Sequence, residues 1–184
     1  MLMTRAAIFI DRDGTINVEK NYLHRVEDWE WIAGSVDAIR AFNNAGFLVI
    51  VISNQAGVAR GMYSETDIHR LHAYVTSELV RDGARIDAYY YCPHHPEFGK
   101  ERDCACRKPL PGLILKAQKD FDIDLSNSWM VGDTANDCKA GAAAGVRCIL
   151  VATGYGAKER GKLGAVPYAE NLQVASQLIL AASK

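Results

Sequence analysis

Phe47-Leu48-Val49-Ile50-Val51-Ile52 is an unbroken run of six apolar residues, with Gly46 before it and Ser53 after it. A strand with one wet face alternates apolar and polar residues. A short continuous run rich in β-branched residues instead reads as a strand buried on both faces. Such a strand needs a layer on each side, which points to a parallel sheet between helices. The rest of the chain agrees. Ala6-Ala7-Ile8-Phe9-Ile10, Ile86 to Tyr91, Ser128 to Val131 and Cys148 to Val151 read as further strands. Helical patterns lie between them. One runs from Val36 to Ala45 and closes at Gly46. Another opens at the capping-box-like Ser64-Glu65-Thr66-Asp67 and carries Ile68, Leu71, Val75 and Leu79 at the helical period to about Arg81. A third spans Leu110 to about Phe121, with Pro111 in its first turn, and a fourth spans Asn136 to Ala144. Leu172 to Ala182 reads as a terminal helix. Strand and helix alternate throughout, so the expected class is α/β with a mostly parallel sheet and helices on both faces.

A chain of 184 residues fits one domain, taken as 1–184. No apolar run approaches the roughly 20 residues of a transmembrane helix, and Met1-Leu2-Met3-Thr4-Arg5 opens no signal-peptide pattern. A cytoplasmic monomer without a membrane partner is expected, with its five cysteines reduced. Lys plus Arg is 21 against 22 Asp plus Glu, a net charge of -1. That balance argues against nucleic-acid binding, and any anionic ligand must be held by local charge.

Asp11-Arg12-Asp13-Gly14-Thr15 places two carboxylates just past the first strand, where parallel sheets bind their ligands. Residues two apart in an extended chain point the same way, so Asp11 and Asp13 are expected to face one ligand while Arg12 faces elsewhere. Two acids this close repel each other, and a hard cation such as Mg²⁺ relieves the repulsion. A metal-held Asp is a nucleophile toward phosphorus, and a second Asp can serve as general acid and base.

Four segments in order resemble the motifs of the haloacid-dehalogenase-like phosphohydrolases: Asp11 to Thr15, Ile52-Ser53-Asn54-Gln55, Arg107-Lys108-Pro109, and Val131-Gly132-Asp133-Thr134-Ala135-Asn136-Asp137. The resemblance implies a three-layer Rossmann-like fold, essentially uncapped, and phosphomonoester hydrolysis. It implies Asp11 as nucleophile and Asp13 as acid and base. Ser53 and Asn54 are then donors to the phosphoryl group, and Lys108, with Arg107, is the cation beside it. Mg²⁺ would be held by the Asp11 and Asp133 carboxylates and the Asp13 carbonyl. Asp137 either orients a metal-bound water or sits at the start of its helix, where an acid is favoured. A signalling receiver also puts acids at strand ends, but it lacks the Asp-x-Asp-Gly arrangement.

Cys92-Pro93-His94 and Cys104-Ala105-Cys106 supply three sulfurs and one nitrogen, a donor set that fits a closed tetrahedral Zn²⁺ site within a loop spanning about 92–109. His94 is favoured over its neighbour His95. Four protein ligands leave no open position, so the zinc reads as structural, pinning Arg107 and Lys108. Cys138 and Cys148 read as small apolar residues, and His69 and His72 as surface histidines. Trp29, Trp31 and Tyr89 to Tyr91 read as packing.

The zinc loop resembles that of the subgroup holding the heptose-bisphosphate and histidinol-phosphate phosphatases. The stretches Asn17 to His24, Asn54 to Gly61 and Tyr90 to Pro96 look closer to the former. That likeness implies a sugar bisphosphate as small-molecule partner: heptose 1,7-bisphosphate losing its 7-phosphate on the route to the lipopolysaccharide heptose precursor. Histidinol phosphate is the alternative. Glu19, Lys20, Tyr22, Asn54, Gln55 and Arg60 become candidate substrate contacts. Where the heptose enzymes tend to carry Lys after the fourth-motif Asp, this chain has Thr134, which leaves Arg60, Lys20 and Arg107 for the second phosphate. Gly154 to Pro167 is expected to be irregular and mobile.

Overall fold

β1 (Ala7–Ile10), β2 (Leu48–Asn54) and β4 (Trp129–Gly132) form the centre of the sheet, and every residue of β1 and β4 is buried. In the computed structural model, which describes residues 4–183, β3 (Ala88–Cys92), β5 (Arg147–Val151) and β6 (Tyr168–Ala169) complete six strands in the order β3-β2-β1-β4-β5-β6. All neighbouring pairs are parallel.

Side chains alternate between two cores. Ile8, Ile10, Val49, Val51 and Val131 face α1 (Ser35–Asn44), α2 (Glu65–Arg81) and α6 (Leu172–Ala182) through Phe42, Val75, Leu79 and Ile179. Ala7, Phe9, Ile50, Ile52 and Met130 face α3 (Gly112–Phe121) and α4 (Ala135–Ala143) through Leu113, Ile114, Ala117 and Ala140. At roughly 25 cal/mol per Å² of apolar surface, each fully buried Ile or Leu contributes about 1.5–3 kcal/mol. The expected three layers are present, and the capping box at Ser64 forms with Asp67. Trp29 and Trp31 meet each other edge to face and pack against the first core.

The order of the strands positions the site. From β1 the chain winds outward to β3, then crosses back to place β4 on the other side of β1. The reversal opens a crevice at the carboxyl ends of β1 and β4, and Asp11 and Asp133 are the next residues in each case.

Several expectations need correction. β6 is a sixth strand that two residues cannot announce by periodicity. Gly154 to Pro167 contains α5 (Gly156–Glu159) and a 3₁₀ turn at Arg160–Lys162. Cys138 and Cys148 are joined by a disulfide, because the turn at Gly145 brings β5 back beneath α4 with their Cα atoms 5.3 Å apart. His72 is buried and stacked on Tyr89, and burial pushes its pKa down to about 3, helped by Arg12. His69 is exposed and hydrogen-bonds Tyr91. No helix among the described residues is long and apolar enough to cross a membrane. Met1 to Met3, at the head of the leader reading, lie outside them.

Candidate active site

The sheet ladder continues one residue past β1, where the Asp11 N–H donates to Val131 O at 2.9 Å. That bond fixes the Asp11 backbone at the tip of the sheet. Gly14 then turns the chain at φ 81°, and a Cβ on it would meet Asp133 Oδ2 at 2.4 Å. The turn therefore needs glycine twice, for its left-handed backbone and for the approach of Asp133.

Asp11, Asp13, Glu19, Tyr22, Ser53, Asn54, Gln55, Arg107, Lys108 and Asp133 all line one cavity of about 300 Å³. Lys108 is 4% exposed, and its ammonium is fully engaged. Its Nζ lies 2.6 Å from Asp11 Oδ1, 2.6 Å from Asp137 Oδ1 and 2.7 Å from Ile52 O. Asn54 holds the backbone of Lys108 from both sides: its Oδ1 accepts the Lys108 N–H at 3.0 Å and its Nδ2 donates to Lys108 O at 3.1 Å. Asn54 thus clamps the cation as well as facing the cavity.

Asp137 serves two purposes at once. Its Oδ2 accepts from the Thr134 N–H and hydroxyl, closing the capping box of α4, while its Oδ1 faces Lys108. Burial raises the Asp11 pKa well above the ordinary carboxylate range; Lys108 opposes this, and Asp137 and Asp133 add to it. Burial pushes Asp133 up to about 7, the Tyr155 N–H offsetting part of the rise and Asp137 extending it. Burial disfavours the charged form of Lys108, but Asp11 and Asp137 outweigh it and raise its pKa.

Asp11, Asp133 and Asp137 each offer an oxygen within 4.8 Å of the others. Asp133 Oδ1 is buried without a hydrogen-bond partner. An orphaned carboxylate oxygen among three crowded acids is the environment a hard divalent cation satisfies, so these residues fit Mg²⁺. The Asp13 carboxylate belongs to a different group: Arg12, Asn17 and Gln55 all donate to it. The expectation that Arg12 faces elsewhere is corrected, since its guanidinium folds back onto Asp13 and is 1% exposed.

Cys92, His94, Cys104 and Cys106 converge, with Cys92 Sγ 3.6 Å from Cys104 Sγ and His94 Nδ1 3.4 Å from Cys106 Sγ. The quartet fits zinc, and Glu101 sits 3.2 Å from the outer nitrogen of His94. His95 lies outside the quartet, beside Arg60 and Phe98. Arg107 follows the last cysteine and donates to His94 O at 3.1 Å. Lys20 pairs with Glu30, and Arg60 lies 4.1 Å over the Phe98 ring, so neither is among the residues lining the cavity. Sequence reasoning missed Tyr63 and Tyr155 and gave no role to Asn136 of the fourth motif, and all three line it. Tyr63 hydrogen-bonds Gln55 at 2.7 Å, and Tyr155 reaches Asn21 at 3.4 Å. Neither tyrosine lies in a motif, and no local pattern in the sequence marks them.

A HAD-hydrolase-like family model matches residues 105–178. The D-glycero-beta-D-manno-heptose-1,7-bisphosphate 7-phosphatase of Pasteurella multocida is 41% identical over 86% of this chain and 88% of its own. The enzyme of the same name from Vibrio cholerae is 39% identical over 99% of this chain and the whole of its own. The crystal structure of D,D-heptose 1,7-bisphosphate phosphatase from B. bronchiseptica, complexed with magnesium and phosphate, superposes with a TM-score of 0.87 at 31% identity, covering 96% of this chain and 99% of that one. Motifs, parallel sheet, cavity and relatives agree, and the chain belongs to the haloacid-dehalogenase-like hydrolases, in the family of the heptose-1,7-bisphosphate 7-phosphatases.

Proposed function

We propose that the protein is a Mg²⁺-dependent phosphatase that removes the 7-phosphate of D-glycero-D-manno-heptose 1,7-bisphosphate, feeding the heptose precursor of lipopolysaccharide. The β anomer is taken from the names of its relatives. The observation that carries the reading is the pairing of Asp11 with Lys108 in one cavity with the orphaned oxygen of Asp133.

Asp11 attacks phosphorus, the bond from phosphorus to the C7 oxygen breaks, and Asp13 gives that oxygen its proton. Asp13 then takes a proton from the water that attacks the aspartyl-phosphate. The bond from phosphorus to Asp11 breaks, and inorganic phosphate leaves. Asp11, Asp133 and the Asp13 carbonyl would hold Mg²⁺, which would supply positive charge to the phosphoryl oxygens. Lys108 supplies a second, fixed positive charge, and Ser53 a hydroxyl donor. Of the three cations expected to grip the distal phosphate, Arg107 lines the cavity and takes that role; Lys20 is paired with Glu30 and Arg60 lies over Phe98, outside the cavity lining. Zinc on Cys92, His94, Cys104 and Cys106 is structural. The chain acts as one domain and a monomer in the cytoplasm.

The test is phosphate release. kcat/KM for the heptose bisphosphate is expected to exceed that for histidinol phosphate by at least about 10²-fold, a difference of roughly 2.7 kcal/mol in transition-state binding. A better rate with histidinol phosphate would assign the chain to the other activity.

A further inference from the structure

Arg12 is the largest of the fully buried side chains, yet it lies between two acids that line an open cavity. Its Nε and one terminal nitrogen reach both oxygens of Asp13 at 2.8–3.2 Å. The same terminal nitrogen donates to Leu23 O at 2.8 Å. Leu23 follows Asn21 and Tyr22, two non-glycine residues in left-handed backbone (φ 49° and 60°) that line the cavity. Asn17 Nδ2 and Gln55 Nε2 each hold one Asp13 oxygen, at 3.0 and 3.1 Å. Tyr63 and Ser53 in turn hold Gln55.

We propose that Arg12 is the positioning residue of the acid–base carboxylate: it locks Asp13 in one rotamer and couples that rotamer to the loop walling the cavity. The proposal rests on the reading of Asp13 as acid and base. Two observations favour this role over a purely structural one. A buried ion pair contributes little net stability over well-packed apolar side chains, because desolvating the charges offsets their attraction. And Asp13 sits on a turn with its side chain 18% exposed, where a short carboxylate has several rotamers open to it unless something fixes it. A two-pronged guanidinium contact is the geometry that fixes a carboxylate plane.

The experiment uses the leaving group. kcat/KM reports the steps up to formation of the aspartyl-phosphate. An alkyl phosphate needs a proton on its departing oxygen in that step, and p-nitrophenyl phosphate does not. Asp13→Asn is expected to lower kcat/KM for an alkyl phosphate by about 10² to 10⁴-fold and for the aryl ester by less than about tenfold. Arg12→Met is expected to show the same signature, with a loss at least about tenfold larger on the alkyl ester. In an Asp13→Asn background it should change kcat/KM by less than about threefold, since residues acting as one unit are not additive. Arg12→Lys, which keeps the charge but not the fork, should recover part of the alkyl activity, and it supplies the same comparison should the Met variant not fold. Equal losses on both esters, or additive effects in the double variant, overturn the role of Arg12 while leaving the proposed reaction standing. If Asp13→Asn itself shows no dependence on leaving group, the acid–base reading fails and the proposal falls with it.

Discussion

Lys108 Nζ lies 2.6 Å from Asp11 Oδ1, so the cation of the third motif rests directly on the proposed nucleophile of the first, 97 residues away in sequence. The ammonium also touches Asp137, and it serves as counter-charge for an acidic cluster in which burial raises the pKa values of Asp11 and Asp133. Replacing it separates two functions. Lys108→Met is expected to reduce kcat by about 10² to 10³-fold, the usual loss on removing a preorganised stabiliser of transition-state charge. It should bind Mg²⁺ at least as tightly as the parent, because a competing cation has gone. Titration calorimetry with Mg²⁺ checks the second half, and a clear loss of affinity would contradict it.

The acidic cluster also dictates how pH and metal interact. Burial lifts Asp133 to about 7, above its ordinary value of 3.8. Between those two values the folded protein holds more protons than the unfolded chain, so this contribution to stability grows as pH falls from about 7 toward 4 and is lost as pH rises through 7. Mg²⁺ favours the deprotonated form and reverses the trend. The rise in Tm on adding Mg²⁺ should therefore be largest above pH 7 and shrink on acidification, as thermal melts with and without the metal would show. A gain independent of pH would mean that Asp133 does not take part.

Protein purified without chelators should carry about one zinc per chain by elemental analysis. Cys104→Ser should lose it and fall in Tm. Its kcat/KM should drop as well, because Arg107 is tied to the loop through His94 O. Unchanged activity in zinc-free protein would separate the loop from catalysis.

Gly154 stands at φ 57°, and a Cβ there would lie 2.1 Å from Asp133 Oδ2 and 2.8 Å from Gly14 Cα. Gly164 has nearly the same backbone, φ 58°, with open space around it. Gly164→Ala should cost about 1 kcal/mol of backbone strain. Gly154→Ala should cost more, in the range of about 2–4 kcal/mol, and weaken Mg²⁺ binding. Denaturant melts of the two variants compare them directly, and equal costs would show that Asp133 yields freely.

Three of the four motifs were legible because each follows a buried apolar run. Ile10 leads to Asp11, Ile52 to Ser53 and Val131 to Gly132 and Asp133, so the strand reading placed the residues at one edge of the sheet. The zinc quartet was legible from residue type alone, and the structure brings its four members together. Arg12 escaped because strand alternation predicts where a Cβ points, while a long side chain can curl around to its neighbour. The double clamp of Asn54 on Lys108 depends on a contact across 54 residues, which no local pattern encodes. Lys20 and Arg60 were selected for charge and proximity in sequence, but their partners Glu30 and Phe98 lie outside every motif. The bond between Cys138 and Cys148 needs the reversal at Gly145 to bring two elements face to face.

Strand β1 pairs on one side with β2, which follows it closely, and on the other with β4, in a register that joins Ile8 to Trp129. A ribosome therefore releases β1, β2 and β3 long before the partner that seals the second edge of β1 exists. During that interval the nascent chain offers a bare row of backbone donors and acceptors flanked by Ile8, Phe9 and Ile10, the kind of edge that recruits other chains. A fragment ending before Trp129 would be expected to aggregate rather than accumulate as a stable subdomain, and chaperone capture of the growing chain would matter most in that window.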